Sequence, residues 1–454
     1  MSLTFAKRIS DPVHGTIHLT EIEAQVIACP AFQRLRNVKQ LGLASMVYPG
    51  CDYSRFSHSI GACHVAGRIV EQLGQPDETI QRYRLAALLH DCGHYPFSHA
   101  MERAVENHLA KAMVGPGGAT PESPMSHEQV GKQVVTKDPG IGAALEGGGT
   151  DPAQVAAIFT REAADQPLVN LVSSDLDADR IDYLLRTAHH SGLPYGAVDI
   201  DYLLGHLKLD VDGSVCVDQR AARAVDHFLL CRFFDYQQVS FHKTVVGTEL
   251  VLESVVGDLL DLGLLDCSPA AVETRITGGK WAEFDDAAVI NGIRAAVGGG
   301  GLGGEQLLRA RAILDRKPPK LIYQREWFGP RRDPQAAVDC AKLARKCVEQ
   351  LALRHNLPES RFYVWDKSFP ITKNPSALPL SAIVDVGDDA EQAVRLLDGP
   401  MRKSAPAAER PSSMMSVLAD QQLYAVRIYA LLGDAELARR GALEQTARRE
   451  LGAP

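Results

Sequence analysis

The stretch LLHDCGHYPFSH, residues 88–99, contains three histidines and an aspartate, and it ends an apolar run. His90 and Asp91 are adjacent. His94 follows about one helical turn later, and His99 lies just beyond Pro96. Imidazole nitrogens and carboxylate oxygens are common ligands of divalent metal ions. These residue types at this spacing therefore indicate a metal site rather than a polar surface helix.

Adjacent residues on a helix point about 100° apart, so His90 and Asp91 can share one ion only at the end or edge of a helix. Further ligands must then come from other helices. The candidates are His58 in RFSHS and an aspartate of SSDLDADRIDY, where Asp175 and Asp179 share a helix face. Spacing alone leaves that choice open. Two imidazoles and two carboxylates suit one divalent ion with open positions for water and substrate.

Composition excludes several other classes of protein. Of the 454 residues, 45% are hydrophobic and 23% charged, which is typical of a soluble globular protein. No uncharged apolar run approaches the roughly 18 residues of a membrane span. The net charge of −8 argues against an extended nucleic-acid-binding surface. Nine cysteines without CxxC spacing, together with the absence of an apolar leader, predict reduced thiols and a cytoplasmic location. Among these thiols, Cys92 is interpreted as packing.

Helices are predicted to position these residues. The segment PAFQRLRNVKQLG spaces its apolar residues as on one buried helix face, and DETIQRYRLAALLHD becomes fully apolar toward its end. Pro96 is expected in the first turn of a new helix. Ser126 is expected to cap the helix that begins at SHEQ. A long helix is predicted from about Asp218 to Leu262, preceded by a hairpin in KLDVDGSVCV.

The composition changes beyond about residue 265. Strand-like pieces such as RFYVWDKSF and LSAIVDV follow, with MRKSAPAAERPSS as a linker, while the glycine-rich stretches at 115–124 and before 150 are expected to form mobile surface loops. The predicted fold is mainly α, with a helical catalytic core at residues 1–262 and a smaller mixed α+β lobe at 263–454. Fourteen of the 15 histidines precede residue 243, so the chemistry is expected in the first part.

The motifs RFSHS, LLHDCGHYPFSH, SHEQ and LDADRIDYLLR, in this order, resemble the HD-domain metal-dependent phosphohydrolases. The blocks DPVHGTIHL, AFQRLRNVKQLG and YPGCDYSRFSHSIG narrow the resemblance to the deoxynucleoside triphosphate triphosphohydrolases and their bacterial relatives. It covers residues 7–262. It implies an HD-domain core that cleaves a deoxynucleoside triphosphate to deoxynucleoside and triphosphate.

The resemblance also implies a ligand set of His58, His90, Asp91 and Asp179. Asp179 is selected because it matches the second acid of the family pattern in DADRIDY, while Asp182 is interpreted as structural. One divalent ion is expected, namely Mn, Fe, Mg or Zn.

Matching family positions supply the catalytic candidates. His99 is predicted to be the acid/base group, with Glu102, three residues later on one helix, as the carboxylate that orients it. His94 and His127 match positions that line the phosphates or relay protons.

The expected substrate contacts are Gln40, Leu41, Arg55, Arg180, Tyr183 and Arg232. The arginines are expected to grip phosphates, and the tyrosine ring to exclude a 2′-hydroxyl. Two positions depart from the family. Thr187 stands where animal members have an acid, which predicts weaker 3′-hydroxyl recognition and tolerance of dideoxy substrates. Ser240 replaces a tyrosine expected near the base.

An activator site for a guanine nucleotide is only partly preserved. The matching residues are Lys7, Gln33, Arg36, His242 and Lys243. Ala28 replaces the acidic residue that binds guanine in the family, and Asp218 replaces a basic residue. The resemblance therefore does not imply activation by a guanine nucleotide.

Two other functions stay open at this point. The HD fold also hosts phosphodiesterases and nucleotide phosphatases, in which His94 and His127 could hold a second ion. A nucleotide-sensing oligomer without turnover is the third hypothesis. Relatives assemble, so a homo-oligomer is expected.

Overall fold

A computed structural model describes residues 3–113, 124–162, 168, 171, 175–331, 333–372, 393–397, 399 and 403–452. The described chain is mainly helical and carries three small sheets, which confirms the predicted fold class. Within the described ranges, no helix combines the length and apolar character that crossing a bilayer requires. All nine cysteines are free and buried.

The first 261 residues form a hairpin and a series of helices. The hairpin pairs β1 (Phe5–Asp11) with β2 (Gly15–Thr20). The helices are α1 (Glu21–Ala28), α2 (Pro30–Gln33), α3 (Arg55–Gln72), α4 (Asp77–Leu89), α5 (His99–Met113), α6 (His127–Lys137), α7 (Pro139–Gly147), α8 (Pro152–Phe159), α9 (Ala178–Ser191), α10 (Ile200–Gly205), α11 (Ala222–Asp235) and α12 (Lys243–Asp261). The predicted hairpin in KLDVDGSVCV is confirmed, because β3 (Leu207–Leu209) pairs antiparallel with β4 (Val215–Asp218).

The later part mixes helices and strands. Its helices are α13 (Pro269–Thr277), α14 (Asp286–Gly298), α15 (Gly304–Leu314), α16 (Gln335–His355), α17 (Met415–Leu418) and α18 (Arg440–Leu451). Its strands are β5 (Lys320–Pro330), β6 (Phe362–Pro370), β7 (Arg395–Leu397), β8 (Ser404–Pro406) and β9 (Gln421–Ala430). One antiparallel sheet has the order β5-β9-β6, and a second has the order β3-β4-β7-β8.

The site is built on the packing of α3 against α4 and α9. Helix α4 ends in an apolar run whose last residues are fully buried, so its carboxyl end lies inside the core. Helix α6 begins with the predicted cap, in which Ser126 and Gln129 bond reciprocally to each other's backbone N–H groups.

Three predicted elements differ in the structure. The segment from Pro30 forms α2 and a 3-10 turn, Arg34–Asn37, although Phe32, Leu35 and Val38 are buried as expected. Helix α5 begins at His99 and not at Pro96, because Phe97 and Ser98 have φ angles of 54° and 51°, outside the helical range.

The predicted helix from 218 to 262 is broken. Strand β4 ends at Asp218, α11 ends at Asp235, and a π-helical turn, Tyr236–Ser240, separates it from α12. In that turn Phe241 N donates to Tyr236 O at 2.8 Å, the i→i−5 pattern of a π-helix.

Of the expected loops and strands, RFYVWDKSF is confirmed as β6. LSAIVDV and residues 115–123 lie outside the described residues. Residues 401–413, predicted to be a linker or loop, contain in their described part the short strand β8 and a 3-10 turn at Ala407–Glu409.

Residues beyond 262 pack against the helical core. The buried Trp281 donates from Nε1 to Cys92 O at 3.0 Å. Asp286 accepts from the backbone N–H groups of Phe97 at 2.8 Å and Lys39 at 3.1 Å. A second apolar cluster lies between the β5-β9-β6 sheet and helices α16 and α18. The division into 1–262 and 263–454 stays a prediction, and the main core extends across it.

Candidate metal centre and its cavity

Three elements bring the predicted ligands together. Helix α3 supplies His58, α9 supplies Asp179 in its first turn, and His90 and Asp91 follow immediately after the end of α4. His58 Nε2 lies 3.0 Å from Asp179 Oδ1 and 3.8 Å from Asp91 Oδ2. His90 Nε2 lies 3.3 Å from Asp91 Oδ1 and 3.8 Å from Asp179 Oδ1. His90 and Asp91 can therefore face the same predicted ion position, because they lie at the end of α4.

The donor set fits a divalent cation. His58 Nδ1 lies 2.8 Å from Asp182 Oδ2, and His90 Nδ1 lies 2.8 Å from Ala87 O. If each Nδ1–H donates, both Nε2 lone pairs are directed at the carboxylates. Both Nε2 atoms are buried and form no hydrogen bond of acceptable geometry in the described structure. Two unpartnered imidazole nitrogens beside two carboxylates are what a bound cation satisfies.

The charge around His58 also favours a cation. Burial disfavours the imidazolium, but the nearby carboxylates of Asp179, Asp182 and Asp91 outweigh it and raise the pKa of His58 to about 10. The site thus stabilises positive charge where an ion would lie.

Asp182 supports the centre from behind. It accepts from Arg186 Nε at 2.9 Å and Nη2 at 2.8 Å, and His14 Nε2 lies 2.7 Å away. Burial raises the pKa of this carboxyl, but Arg186 and the imidazoles outweigh burial and hold it well below its usual range. A Cβ at Gly61 would lie 1.8 Å from Asp182 Oδ1, so α3 can approach α9 only with glycine there.

The alternative aspartate lies elsewhere. Asp175 is fully buried and accepts from Arg180 Nη1 at 3.1 Å, Arg232 Nη1 at 2.7 Å and Thr372 Oγ1 at 3.0 Å. Among the described residues, the group that could hold an ion here is His58, His90 and Asp179, which excludes Asp175. Asp91 is also outside this group, but its oxygens lie 3.3 Å from His90 Nε2 and 3.8 Å from His58 Nε2. The structure therefore distinguishes Asp175 from Asp179, which helical spacing alone could not.

A cavity of about 490 Å³ opens above the metal centre. Its wall includes Gln40, Leu41, Arg55 and Tyr183, four of the six predicted substrate contacts. Arg55 donates from Nη1 to Asp91 Oδ2 at 2.7 Å and from Nε to Ser98 Oγ at 2.9 Å.

The other two predicted phosphate contacts, Arg180 and Arg232, are directed to Asp175 and are not among the residues that line the cavity. Thr187 is also outside the cavity wall. It is fully buried, and its Oγ1 lies 2.8 Å from the hydroxyl of Tyr53.

A histidine cluster forms one side of the cavity. Glu102 Oε2 lies 3.1 Å from His99 Nδ1, and Oε1 lies 3.0 Å from His127 Nδ1. The same Oε1 accepts from the backbone N–H of His127 at 2.9 Å. His94 stacks on His127 with ring centroids 4.0 Å apart, and its Nε2 lies 3.2 Å from Asp91 Oδ1. Burial raises the pKa of Glu102, but its bonds to the two imidazoles prevail and lower it, so the carboxylate can orient both rings.

Sequence reasoning missed well over half of the cavity wall. The cavity-lining residues that it did not identify include Asp235, Tyr236, Phe241, Glu249, Trp365 and Lys367. The first three lie at the π turn, which interrupts a pattern that reads as one helix. Trp365 and Lys367 come from β6. The RFYVWDKSF motif gave the strand but no indication that it faces a site some 270 residues earlier in the chain.

The predicted activator residues form no part of this cavity in the described structure. Lys7 lies on the exposed strand β1. Arg36 Nε donates to Gln33 Oε1 at 2.7 Å, while His242 and Lys243 lie at the start of α12.

Comparison with known families identifies a domain in the first part of the chain. The model of the HD domain matches residues 55–144, which contain three of the four predicted ligands.

Curated relatives cover part of the chain. It is 30% identical over 261 residues to the uncharacterized protein YwfO of Bacillus subtilis, covering 56% of each chain. It is 30% identical over 262 residues to the uncharacterized protein MJ1154 of Methanocaldococcus jannaschii, covering 57% of this chain and 51% of that one. The chain thus spans about half the length of these relatives. It is 32% identical over 222 residues to the human deoxynucleoside triphosphate triphosphohydrolase SAMHD1, covering 41% of this chain and 34% of that protein.

Two solved structures share the fold over nearly the whole chain. A hypothetical protein from Aquifex aeolicus superposes with a TM-score of 0.71 at 24% identity, covering 98% of this chain and 99% of that one. A phosphohydrolase from Bacteroides thetaiotaomicron superposes with a TM-score of 0.66 at 22% identity, covering 93% and 99%.

Proposed function

Residues 55–144 match the HD domain, and we propose that the chain is an HD-domain phosphohydrolase that hydrolyses deoxynucleoside triphosphates to deoxynucleoside and triphosphate. The observation that carries the proposal is the pair of unpartnered Nε2 atoms of His58 and His90, which face two carboxylates at the floor of the cavity. The similarity to a deoxynucleoside triphosphate triphosphohydrolase supports the substrate class.

In this proposal His58, His90, Asp91 and Asp179 hold one divalent ion. Such an ion supplies Lewis-acid polarisation of the α-phosphate and activation of water. Mixed imidazole and carboxylate ligands suit Mn, Fe or Zn better than Mg, which prefers oxygen alone. Arg55, held by Asp91 and Ser98, presents its guanidinium at the cavity wall beside the phosphates.

His99 moves the proton. Glu102 Oε2 lies 3.1 Å from its Nδ1 and can accept from it, so in the imidazolium form the ring carries a second proton on Nε2, which it gives to the oxygen of the departing deoxynucleoside. His99 is 62% exposed in its side chain, so the free nitrogen is accessible from the cavity. Because Glu102 also holds His127, the carboxylate positions two rings at once.

Tyr183 selects the sugar. Its ring lines the cavity, and its hydroxyl donates to that of Tyr236 at 3.4 Å. In this proposal the ring excludes a 2′-hydroxyl by steric contact.

One observation favours a second enzymatic function. Ligand atoms of His99, Glu102 and His127 lie within 4.8 Å of one another, a group that could hold a further ion. Two-metal sites are typical of phosphodiesterases and phosphatases. This alternative predicts a monophosphate or orthophosphate product.

Product analysis separates the two functions. The purified protein, stripped with a chelator and reloaded with Mn²⁺, Fe²⁺, Mg²⁺ or Zn²⁺ in turn, is incubated with each deoxynucleotide and ribonucleotide, alone and in mixture. Inorganic triphosphate and deoxynucleoside are the expected products. Orthophosphate or a monophosphate supports the alternative, and nucleotide binding without any product supports a sensor.

We further propose a cytoplasmic homo-oligomer, and light scattering with and without nucleotide tests the assembly.

A further inference from the structure

Asp235 is a buried carboxylate in the cavity wall without a cationic partner. It is the last residue of α11, it is 1% exposed, and it lines the cavity. Its Oδ1 accepts from the hydroxyl of Tyr195 at 2.5 Å. Across the described part of the chain, no lysine, arginine or histidine nitrogen forms an ion pair with it.

The other buried aspartates around the site are compensated by cations. Asp182 is paired with Arg186, and Asp175 with Arg180 and Arg232. Burial without such a partner raises the pKa of Asp235 to about 7, against the effect of its bond from Tyr195. A neutral oxygen would serve Tyr195 equally well, so anchoring this tyrosine does not explain a carboxylate here.

The π turn determines what faces the cavity beside Asp235. Residues five apart share a face there, and Tyr236 and Phe241 accordingly lie with ring centroids 5.6 Å apart. Asp235, Tyr236, Ser240 and Phe241 all line the cavity. π turns inside helices often occur at functional sites.

A second acceptor lies in the same wall. Gln40 Oε1 is buried and has no hydrogen-bond partner in the described structure. A carboxylate whose hydrogen bond from Tyr195 uses only Oδ1, and an unpaired amide oxygen in the same cavity wall, call for a ligand that donates hydrogen bonds. A sugar hydroxyl is such a donor.

We propose that Asp235 accepts a hydrogen bond from the 3′-hydroxyl of the substrate and thereby selects deoxynucleotides that retain it. The inference rests on the proposed function, because a 2′-deoxynucleoside 5′-triphosphate has one free hydroxyl, at C3′. It reverses the tolerance of dideoxy substrates expected from Thr187. That residue is bonded to Tyr53 outside the cavity, whereas Asp235 supplies a carboxylate from a different helix.

The test compares dATP with 2′,3′-dideoxyadenosine triphosphate at pH 8, where the Asp235 carboxyl, whose pKa burial raises to about 7, is mostly ionised and can accept. We expect kcat/KM of the wild type to favour dATP by roughly 10- to 100-fold, the range for a hydrogen bond to a charged group. In Asp235→Asn and Asp235→Ala this ratio should fall at least about fivefold, mainly through KM for dATP, with bound metal unchanged. Tyr195→Phe should retain most of the preference, because the carboxylate stays.

A matched control lies on the same helix. Asp226 is also buried, but it accepts from Met414 N at 2.8 Å and is not part of the cavity wall. Asp226→Asn should keep the wild-type ratio. Melting temperatures show whether each variant is folded. If Asp235→Ala is unfolded, the isosteric Asp235→Asn variant alone provides the test.

The outcomes distinguish the two proposals. If the wild type releases triphosphate from both nucleotides equally, or if Asp235→Asn keeps the wild-type ratio, Asp235 only supports Tyr195 and the inference is overturned while the proposed function stands. The inference is also overturned if Asp235→Asn and Tyr195→Phe each lower kcat/KM for dATP and for the dideoxynucleotide by the same factor. If the wild type releases no triphosphate from dATP, the proposed function fails, and the inference fails with it.

Discussion

His58 Nδ1 and Asp182 Oδ2 lie 2.8 Å apart, and both side chains are fully buried. This bond determines which nitrogen of His58 faces the ligand carboxylates, because a donor at Nδ1 leaves the lone pair on Nε2. Asp182, which is not among the residues that line the cavity, thus orients a predicted metal ligand. The same arrangement repeats more simply at His90, whose Nδ1 faces the carbonyl of Ala87.

Asp182→Asn should lower metal affinity about 10- to 100-fold, as is usual when a hydrogen-bond partner of a metal ligand is changed. Metal titration followed by dialysis and elemental analysis measures the effect. Asp201→Asn is the control, because this aspartate forms an exposed pair with Arg68 on the surface. Unchanged metal affinity in Asp182→Asn would mean that the bond does not orient His58.

His90→Ala and Asp91→Ala should each abolish both hydrolysis and bound metal while unfolding stays cooperative. The two predicted ligands are adjacent at the end of α4, and each lies within 3.8 Å of another member of the predicted set. Asp91→Ala should also lower the melting temperature more, because Arg55 then loses its buried partner. Full activity of either variant after chelation and remetallation contradicts the proposed ligand set.

His99→Ala should lower kcat by roughly 10²- to 10⁴-fold with metal content unchanged, the range for an acid/base group. Glu102→Gln should have a smaller effect, because it weakens orientation without removing the imidazole. Single-turnover rates at saturating Mn²⁺ measure both. A loss below about tenfold in His99→Ala would transfer the role to His94 or His127.

Tyr183→Ala should reduce discrimination between dATP and ATP. A steric clash with one hydroxyl changes rates by roughly 10- to 200-fold, so the wild-type ratio should be of that order and should fall toward unity in the variant. Competition between the two nucleotides in one reaction gives the ratio directly. If the wild type treats both alike, Tyr183 is core packing and sugar selection lies elsewhere.

Stability should fall as pH rises through about 7, partly because of Asp235. Burial raises the pKa of its carboxyl from 3.8 to about 7 in the folded state, so the folded protein binds a proton that the unfolded chain releases between these values. The unfolding free energy therefore decreases with pH in this window, by up to about 1.4 kcal/mol per pH unit for one such group. Urea unfolding from pH 5 to 8 should show a shallower slope in Asp235→Asn. An identical slope would contradict the raised pKa.

Much of the metal centre could be predicted from the sequence, because its ligands lie in short motifs. The adjacency of His90 and Asp91 required a helix end, and α4 ends at Leu89. The apolar run before them required burial, which the structure confirms. Such conclusions depend on local spacing, and local spacing is retained when helices pack.

The surroundings of those predicted ligands depend on the tertiary structure. Asp175 and Asp179 share a helix face by spacing, yet Asp175 precedes the start of α9 and is bound by arginines expected at the phosphates. The π turn redirects the residues after Asp235, and no periodicity in the sequence indicates it.

The chain by itself thus determined the metal-ligand types and the helices that carry them. Only the folded structure decided which carboxylates lack a cation, which arginines are already paired, and that β6 closes the cavity with Trp365 and Lys367. The physical reason is that burial and pairing depend on residues distant in the chain. The 2.6 Å bond from Arg427 Nη1 to Phe241 O, which ties β9 to the cavity wall across 186 positions, is an example.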